Sequence, residues 1–303
     1  MHIAISLCSM STSLNIIKLE DVHEFDHQVA GHIIEKVRRY RDAFVLKPCL
    51  KPDLFLREIQ FYEKAQTDDN IRPWLPAYHG LVHVPSSSNS PLIKGDLLPC
   101  MVLEDLTVGF SKPCLIDIKI GRQTFEPSAS QAKKSRELAK YPHQEALGFR
   151  ITGLKVWDAH TQCYRSLGKE FGRALQPDRV LHGLGLFFHN GLGFRHEVLQ
   201  GCLEEVGGVA CAMRTQTSHL FFCSSLLLVY DGEVSNQRCR VGVIDFAHVV
   251  PMGEGGRDEG YFYSVQSLHK HLSQLLELSQ EGASDGGLED FVQYRRQVFS
   301  IDE

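Results

Sequence analysis

Apolar residues along this chain fall into two kinds of pattern: short alternating or continuous runs that predict strands, and stripes at i, i+3, i+4, i+7 that predict helices. Leu115, Ile116, Ile118 and Ile120 make Pro113–Gly121 a short buried strand, interrupted by two charges, Asp117 and Lys119. Alternate residues of a strand share a face, so the carboxylate and the ammonium stand side by side. A buried charge is costly unless it is paired or used. On spacing alone this D-x-K fits a structural ion pair at a sheet edge as well as it fits an active site.

The other elements follow in order. Phe44–Lys47 reads as a strand stopped by Pro48, and Pro52 with Asp53 starts a helix. In that helix Phe55, Glu58, Ile59 and Tyr62 fall on one stripe. Glu58 therefore needs a partner. Lys47 is the natural one; the alternative is a surface pair with Arg57 or Lys64. Residues 66–98 read as loop-rich, with a flexible tip over 85–91. Met101–Leu106 is a buried strand running into polar residues. A helix is expected from Ser128 to Tyr141, capped by Ser128 or Ser130 and closed by Pro142. Its Lys133, Arg136 and Lys140 make one basic face, either solvated or a phosphate-binding wall. Further strands are expected over 147–157 and, without interruption, over 220–230. The latter returns through Arg240–Phe246 as a hairpin with Asp245 at its end. His189 precedes an Asn-Gly turn and reads as structural. Residues 195–206 make a short helix, and a longer one starts near Asp258. His269 and His271, two apart on that helix, do not face one ligand. Beyond Gly282–Gly287 the chain reads as an appended segment without a role.

Composition narrows the classes. With 303 residues the chain holds one large core or two lobes. A net charge of −5 gives no global footprint for nucleic acid, though a local basic site for an anionic ligand is compatible with it. Nine cysteines occur without any C-x-x-C, which argues against a zinc site. Several sit in apolar runs, as reduced core thiols do, which suits a cytoplasmic or nuclear location. The first residues lack the basic start of a signal peptide, and no run approaches the roughly 20 apolar residues of a membrane span. Lys36–Arg41 is a small basic cluster, a solvated turn more than a nuclear signal.

The pattern P-x-x-x-D-x-K-x-G of Pro113–Gly121, followed by Ser225-Leu226-Leu227 and then Ile244-Asp245-Phe246, resembles the ordered signatures of the inositol polyphosphate kinases. His27–His32, Phe125–Ser130 and Lys140-Tyr141-Pro142 resemble its multikinase branch, and the likeness runs from His27 to Leu278. It implies an α+β, two-lobed, protein-kinase- or ATP-grasp-like fold with antiparallel sheets. The nucleotide-binding lobe would span 1–106 and the catalytic, inositol-phosphate-binding lobe 107–303. It implies ATP, Mg²⁺ and inositol tris- and tetrakisphosphates taken towards the pentakisphosphate. A phosphoinositide 3-kinase side activity on head groups at a membrane surface, and a monomeric state, are further expectations.

By the same resemblance Lys47 holds the ATP phosphates and Glu58 orients it. Glu104 and Leu106 offer backbone to adenine. Asp117 contacts the nucleotide, Lys119 lies between transferred phosphate and substrate, and Asp245 binds Mg²⁺. Lys133, Arg136, Lys140 and His248 bind inositol phosphates. The chain departs from the multikinase branch at Arg136 and Glu137, where two glutamines are usual. Arg136 offers a phosphate a planar fork. Glu137 would repel phosphate and is expected to point aside or pair with Lys133 or Lys134. Two other classes stay open: a protein kinase, which no H-R-D or D-F-G run supports, and a non-catalytic inositol-phosphate-binding scaffold of the same fold.

Overall fold

Alternation in the charged strand sets the architecture. Cys114, Ile116, Ile118 and Ile120 are fully buried on one side. Leu115, Asp117 and Lys119 therefore face the other. The computed structural model describes residues 15–29, 37–85, 97–253, 256–281 and 287–300. The part of the His27–His32 stretch beyond Val29, the tip over 86–91 and the break at 282–286 lie outside the described residues.

Two five-stranded antiparallel sheets carry the fold. The first runs β1 (Val22–Glu24), β2 (Arg38–Tyr40), β3 (Phe44–Pro48), β5 (Leu97–Glu104), β4 (Tyr78–Pro85). The second runs β11 (Cys239–Ile244), β10 (Ser225–Asp231), β6 (Pro113–Ile120), β7 (Phe149–Asp158), β8 (Cys163–Leu167). A two-stranded ribbon pairs β9 (His219–Phe221) with β12 (Val249–Pro251).

Helix α1 (Pro52–Ala65) opens with Pro52 in its first turn and Asp53 on the dipole's positive end. Its buried Phe55, Ile59, Phe61 and Tyr62 belong to the same cluster as Met101 and Leu103 of the first sheet and Ile116 and Phe246 of the second half. Phe61 stacks on Phe246 with ring centres 4.3 Å apart. One core thus joins the two sheets through α1 and fixes the cleft between them. Below β6 lie α5 (Val180–Phe188), α6 (His196–Thr215) and α7 (Glu259–Glu281). Helix α5 is apolar nearly all round, and such a helix is stable only when enclosed; Leu184, Leu186, Phe187 and Phe188 are fully buried. Each such side chain contributes roughly 1.5–3 kcal/mol.

Several expectations need correcting. The loop-rich stretch 66–98 contains β4, because Gly80 (φ +91°) puts an irregularity between Tyr78 and Leu81 that breaks the strand alternation. The run 220–230 is two strands, since Cys223 takes a left-handed φ of +61° and the chain changes partners there. The helix begun at His196 continues to Thr215. Its Gly208 is not a stop signal: the Trp74 ring sits 2.3 Å from where a Cβ would stand. The end of the chain is not a loose appendage. It forms α8 (Gly287–Phe299), whose Phe291 enters the core and whose Arg295 bonds Asp158, both charges buried.

Candidate active site

Lys47, Glu58 and Asp245 meet at the base of the cleft. Lys47 Nζ donates to Glu58 Oε1 at 2.7 Å and to Asp245 Oδ1 at 2.6 Å. The same Glu58 oxygen also accepts the Phe246 N–H at 3.0 Å, which fixes this side chain, 3% exposed, against the backbone beside Asp245. Burial works against the Lys47 charge, but the Asp245 and Glu58 carboxylates outweigh it and hold its pKa above the ordinary value. Asp245 is half exposed and sits just past β11 at φ +67°. That left-handed turn lifts its carboxylate off the strand line into the cleft. Burial disfavours its charge, but Lys47 and Lys119 more than compensate, and its pKa is lowered.

The upper face of the second sheet supplies the rest. Ser225 pairs with Lys119 across β10 and β6, and Lys119 with Arg150 across β6 and β7. Directly opposed residues project to the same side. Between Asp117 and Ile118 the register shifts, leaving Thr152 as an extra residue on β7; such a bulge re-aims a side chain. Thr152 Oγ1 donates to Asp117 Oδ1 at 2.5 Å. Lys119 Nζ is tied to the Cys223 carbonyl at 2.7 Å. Burial, reinforced by the Asp245 charge, pushes the Asp117 pKa up. The two carboxylates of this cleft thus shift in opposite directions, and they are near enough to feel each other.

Two cavities share this floor. One, of about 260 Å³, is walled by Val45, Leu103, Leu106, Leu115, Leu227 and Ile244, with Lys47, Asp117 and Asp245 at one end. Its apolar part is a slot for a flat, weakly polar group, and the charged end suits an anion. Glu104 borders it through its chain, while its carboxylate is drawn to Arg240 in a two-pronged pair of 2.7 and 2.9 Å. The second cavity is open, about 1130 Å³, and shares Asp117 and Asp245; Lys119, Lys140, Arg150, Lys169 and Arg173 bring positive charge to it.

The residues predicted from sequence divide here. Lys47, Glu58, Asp117, Lys119 and Asp245 converge, Glu104 and Leu106 line the apolar cavity, and Lys140 reaches the basic one. The basic helix face does not act as a unit. On α2 (Gln131–Lys140) Arg136 is exposed, and neither it nor Lys133 lines the cavity. Ser130 caps this helix by accepting the Lys133 N–H. Glu137 does not turn aside: it is 11% exposed and grips Lys140 Nζ at 2.6 and 2.8 Å. His248 is held through one ring nitrogen. Its Nδ1 lies 2.5 Å from Glu126, which also accepts two bonds of 3.1 Å from Arg57. Sequence reading missed Arg150, Thr152, Lys169 and Arg173. Arg150 carried a signal, a charge within an otherwise apolar strand; the pair on α4 (Lys169–Ala174) carried none.

Comparison with known proteins agrees with the geometry. The family model described as inositol polyphosphate kinase matches residues 100–273. An inositol polyphosphate multikinase of Rattus norvegicus is 34% identical over 68% of this chain and 53% of that protein. The chain thus spans about half the length of that relative. An inositol polyphosphate multikinase beta of Arabidopsis thaliana is 28% identical over 83% of this chain and 93% of that protein. Among solved structures, the S. cerevisiae inositol phosphate multikinase Ipk2, in complex with ADP and Mn²⁺, superposes with a TM-score of 0.63 at 24% identity, covering 77% of this chain and 99% of that one. The α+β, two-lobed kinase-like fold is therefore shared.

Proposed function

Since the chain belongs to the inositol polyphosphate kinase family, we propose that it transfers the terminal phosphoryl group of ATP to a hydroxyl of an inositol tris- or tetrakisphosphate, with Mg²⁺ as the metal. The observation that carries this is the Lys47–Glu58–Asp245 junction, which lies between an apolar slot and a basic cavity. A slot for a base, a charged floor for phosphates and a basic chamber for a polyanion are the three parts the reaction needs.

Phosphoryl transfer asks little covalent chemistry of a protein and depends on positioning and charge neutralisation. The slot walls receive adenine, with the backbone of Glu104 and Leu106 along its edge. Lys47, held by Glu58, presents its ammonium to the ATP phosphates. Lys119, fixed by the Cys223 carbonyl, places its charge between donor and acceptor. Asp117, clamped by Thr152, keeps the floor between the two cavities in shape. The carboxylates of Asp245 and Asp117, which line both cavities, would suit a hard divalent cation, which favours oxygen ligands. No group of three or more His, Cys, Asp or Glu among the described residues would hold a metal unaided. A cation carried in with the nucleotide matches that donor set, with Asp245 as its main protein ligand. Bound there, the cation neutralises charge developing on the phosphates.

The test is turnover by the purified chain with ATP, Mg²⁺ and inositol trisphosphate. A more highly phosphorylated inositol and an equal amount of ADP are expected, with no label passed to a peptide. Binding of the inositol phosphate without any product would instead favour the scaffold, and peptide labelling the protein kinase.

A further inference from the structure

Arg150 is a buried cation with an enclosed nitrogen that no acceptor meets. It lies on β7 opposite Lys119, on the sheet face that carries Asp117 and Ser225. The residue is 7% exposed, and its Nη1, fully enclosed, has no hydrogen-bond partner. A guanidinium has five donors and cannot shed its charge in a protein. Burying such a group without an acceptor costs more than almost any other single substitution would. The Glu137 carboxylate supports this charge from nearby but gives it no hydrogen bond, since both Glu137 oxygens are bonded to Lys140. Asp117 is clamped by Thr152. Arg173 adds a second positive charge, and burial together with that neighbour pulls the Arg150 pKa below its ordinary value. Lys169 and Arg173 line the same wall from α4.

A binding site for an anion explains this arrangement; a structural role leaves it unexplained. A neutral residue at position 150 would hold the strand without the desolvation cost. The planar fork matches a phosphate monoester, two oxygens to two N–H groups. Position fixes which phosphate it is. Arg150 lies one strand over from Lys119, on the side away from Asp245. It therefore faces a group displaced from the reacting centre towards β8.

We propose that Arg150, flanked by Lys169 and Arg173, forms a subsite for one non-reacting phosphate of the inositol polyphosphate and so selects substrates that carry a phosphate at that position. The proposal rests on the kinase reading of the cleft for the identity of its ligand. It assigns the role expected of Arg136 on α2 to a residue of β7.

The experiment compares inositol tetrakisphosphate with the set of trisphosphates that each lack one of its phosphates. Affinity for wild type and Arg150→Leu is measured by calorimetry, with turnover followed separately. Arg150→Leu should weaken the tetrakisphosphate by about tenfold to a hundredfold, the scale of a charge-assisted fork, with ADP affinity unchanged. One trisphosphate should bind wild type and variant equally, because the phosphate it lacks is the one Arg150 holds; the others should lose as much as the parent. That coupling is the signature of a direct contact. Equal loss across the whole set, or none, overturns the subsite. Absence of turnover by wild type would count against the kinase reading while calorimetry still decided the subsite. Should Arg150→Leu fail to fold, Arg150→Lys takes its place: it keeps the charge and loses the fork. The same one-phosphate coupling, smaller in size, is then expected, and a uniform or zero effect overturns the proposal.

Discussion

The two sides of the cleft handle charge differently. On the nucleotide side Lys47, Glu58 and Asp245 satisfy one another within 2.7 Å, and Glu58 is further tied to the Phe246 backbone. On the basic side Lys140 is held by Glu137 and Lys119 by a carbonyl, while Arg150 has an enclosed nitrogen with nothing to bond. The first arrangement is complete without a ligand and should be rigid. The second is electrostatically unfinished, and a polyanion completes it. The difference fits the two ligands of the proposed reaction: a nucleotide shared by many enzymes, and an inositol phosphate whose pattern must be discriminated.

Removing Lys47 tests the closed side most severely. Lys47→Ala leaves Glu58 buried with its charge unpaired, a loss of roughly 3–5 kcal/mol in stability, read by chemical denaturation. Lys47→Met with Glu58→Gln should recover most of that stability and none of the ATP affinity. If the double variant binds ATP as the wild type does, the junction is structural and the phosphates lie elsewhere.

Asp245→Asn follows in size. Asn tolerates a left-handed φ almost as well as Asp, so the turn at φ +67° survives. Lys47 keeps Glu58 as a partner. Turnover at saturating Mg²⁺ should nevertheless fall at least about a hundredfold, the usual scale for losing one electrostatic contact to a transition state, with the melting temperature near that of wild type. A variant that keeps near-wild-type kcat, or one that unfolds, would place Asp245 in the framework instead.

The closed side was the more legible from sequence because its parts are short-range. Glu58 in an apolar stripe demanded a cation, and Lys47 ends the strand just before that helix. Asp117 and Lys119 share a face by alternation alone. The open side is assembled from β6, β7, α2 and α4, and no local period announces that Arg150 stands opposite Lys119. Register decided it, and register depends on the bulge at Thr152. Helical spacing also misled on α2. It grouped Lys133, Arg136 and Lys140 correctly on one side, but whether a side reaches a cavity depends on how the helix is rolled against the sheet. Glu137, given by sequence a place out of the way, occupies the inner position. The last helix escaped notice because its one deep anchor, Phe291, and its ion pair to Asp158 are long-range.

The smallest effects discriminate best between the two accounts of the basic wall. Glu137 is 11% exposed and restrains Lys140 with both oxygens. It also lies near enough to Arg150 to support that cation's charge. Glu137→Gln removes a carboxylate from the edge of an anion site and frees the Lys140 ammonium. The KM for inositol tetrakisphosphate should therefore fall, by about threefold, which is what one partly screened charge is worth. The KM for ATP should not move. Arg136→Gln restores the glutamine expected of the multikinase branch, yet Arg136 is exposed and lines neither cavity of the cleft, so the same KM should change by less than about twofold. If the order is reversed, with Arg136→Gln costly and Glu137→Gln neutral, then α2 rolls inward when substrate binds. The wall would then be built on binding instead of standing ready. Measuring both variants at low and high salt separates these outcomes further. A charge at an exposed position loses its influence beyond roughly 8 Å at physiological ionic strength, whereas one enclosed as Glu137 is should keep it.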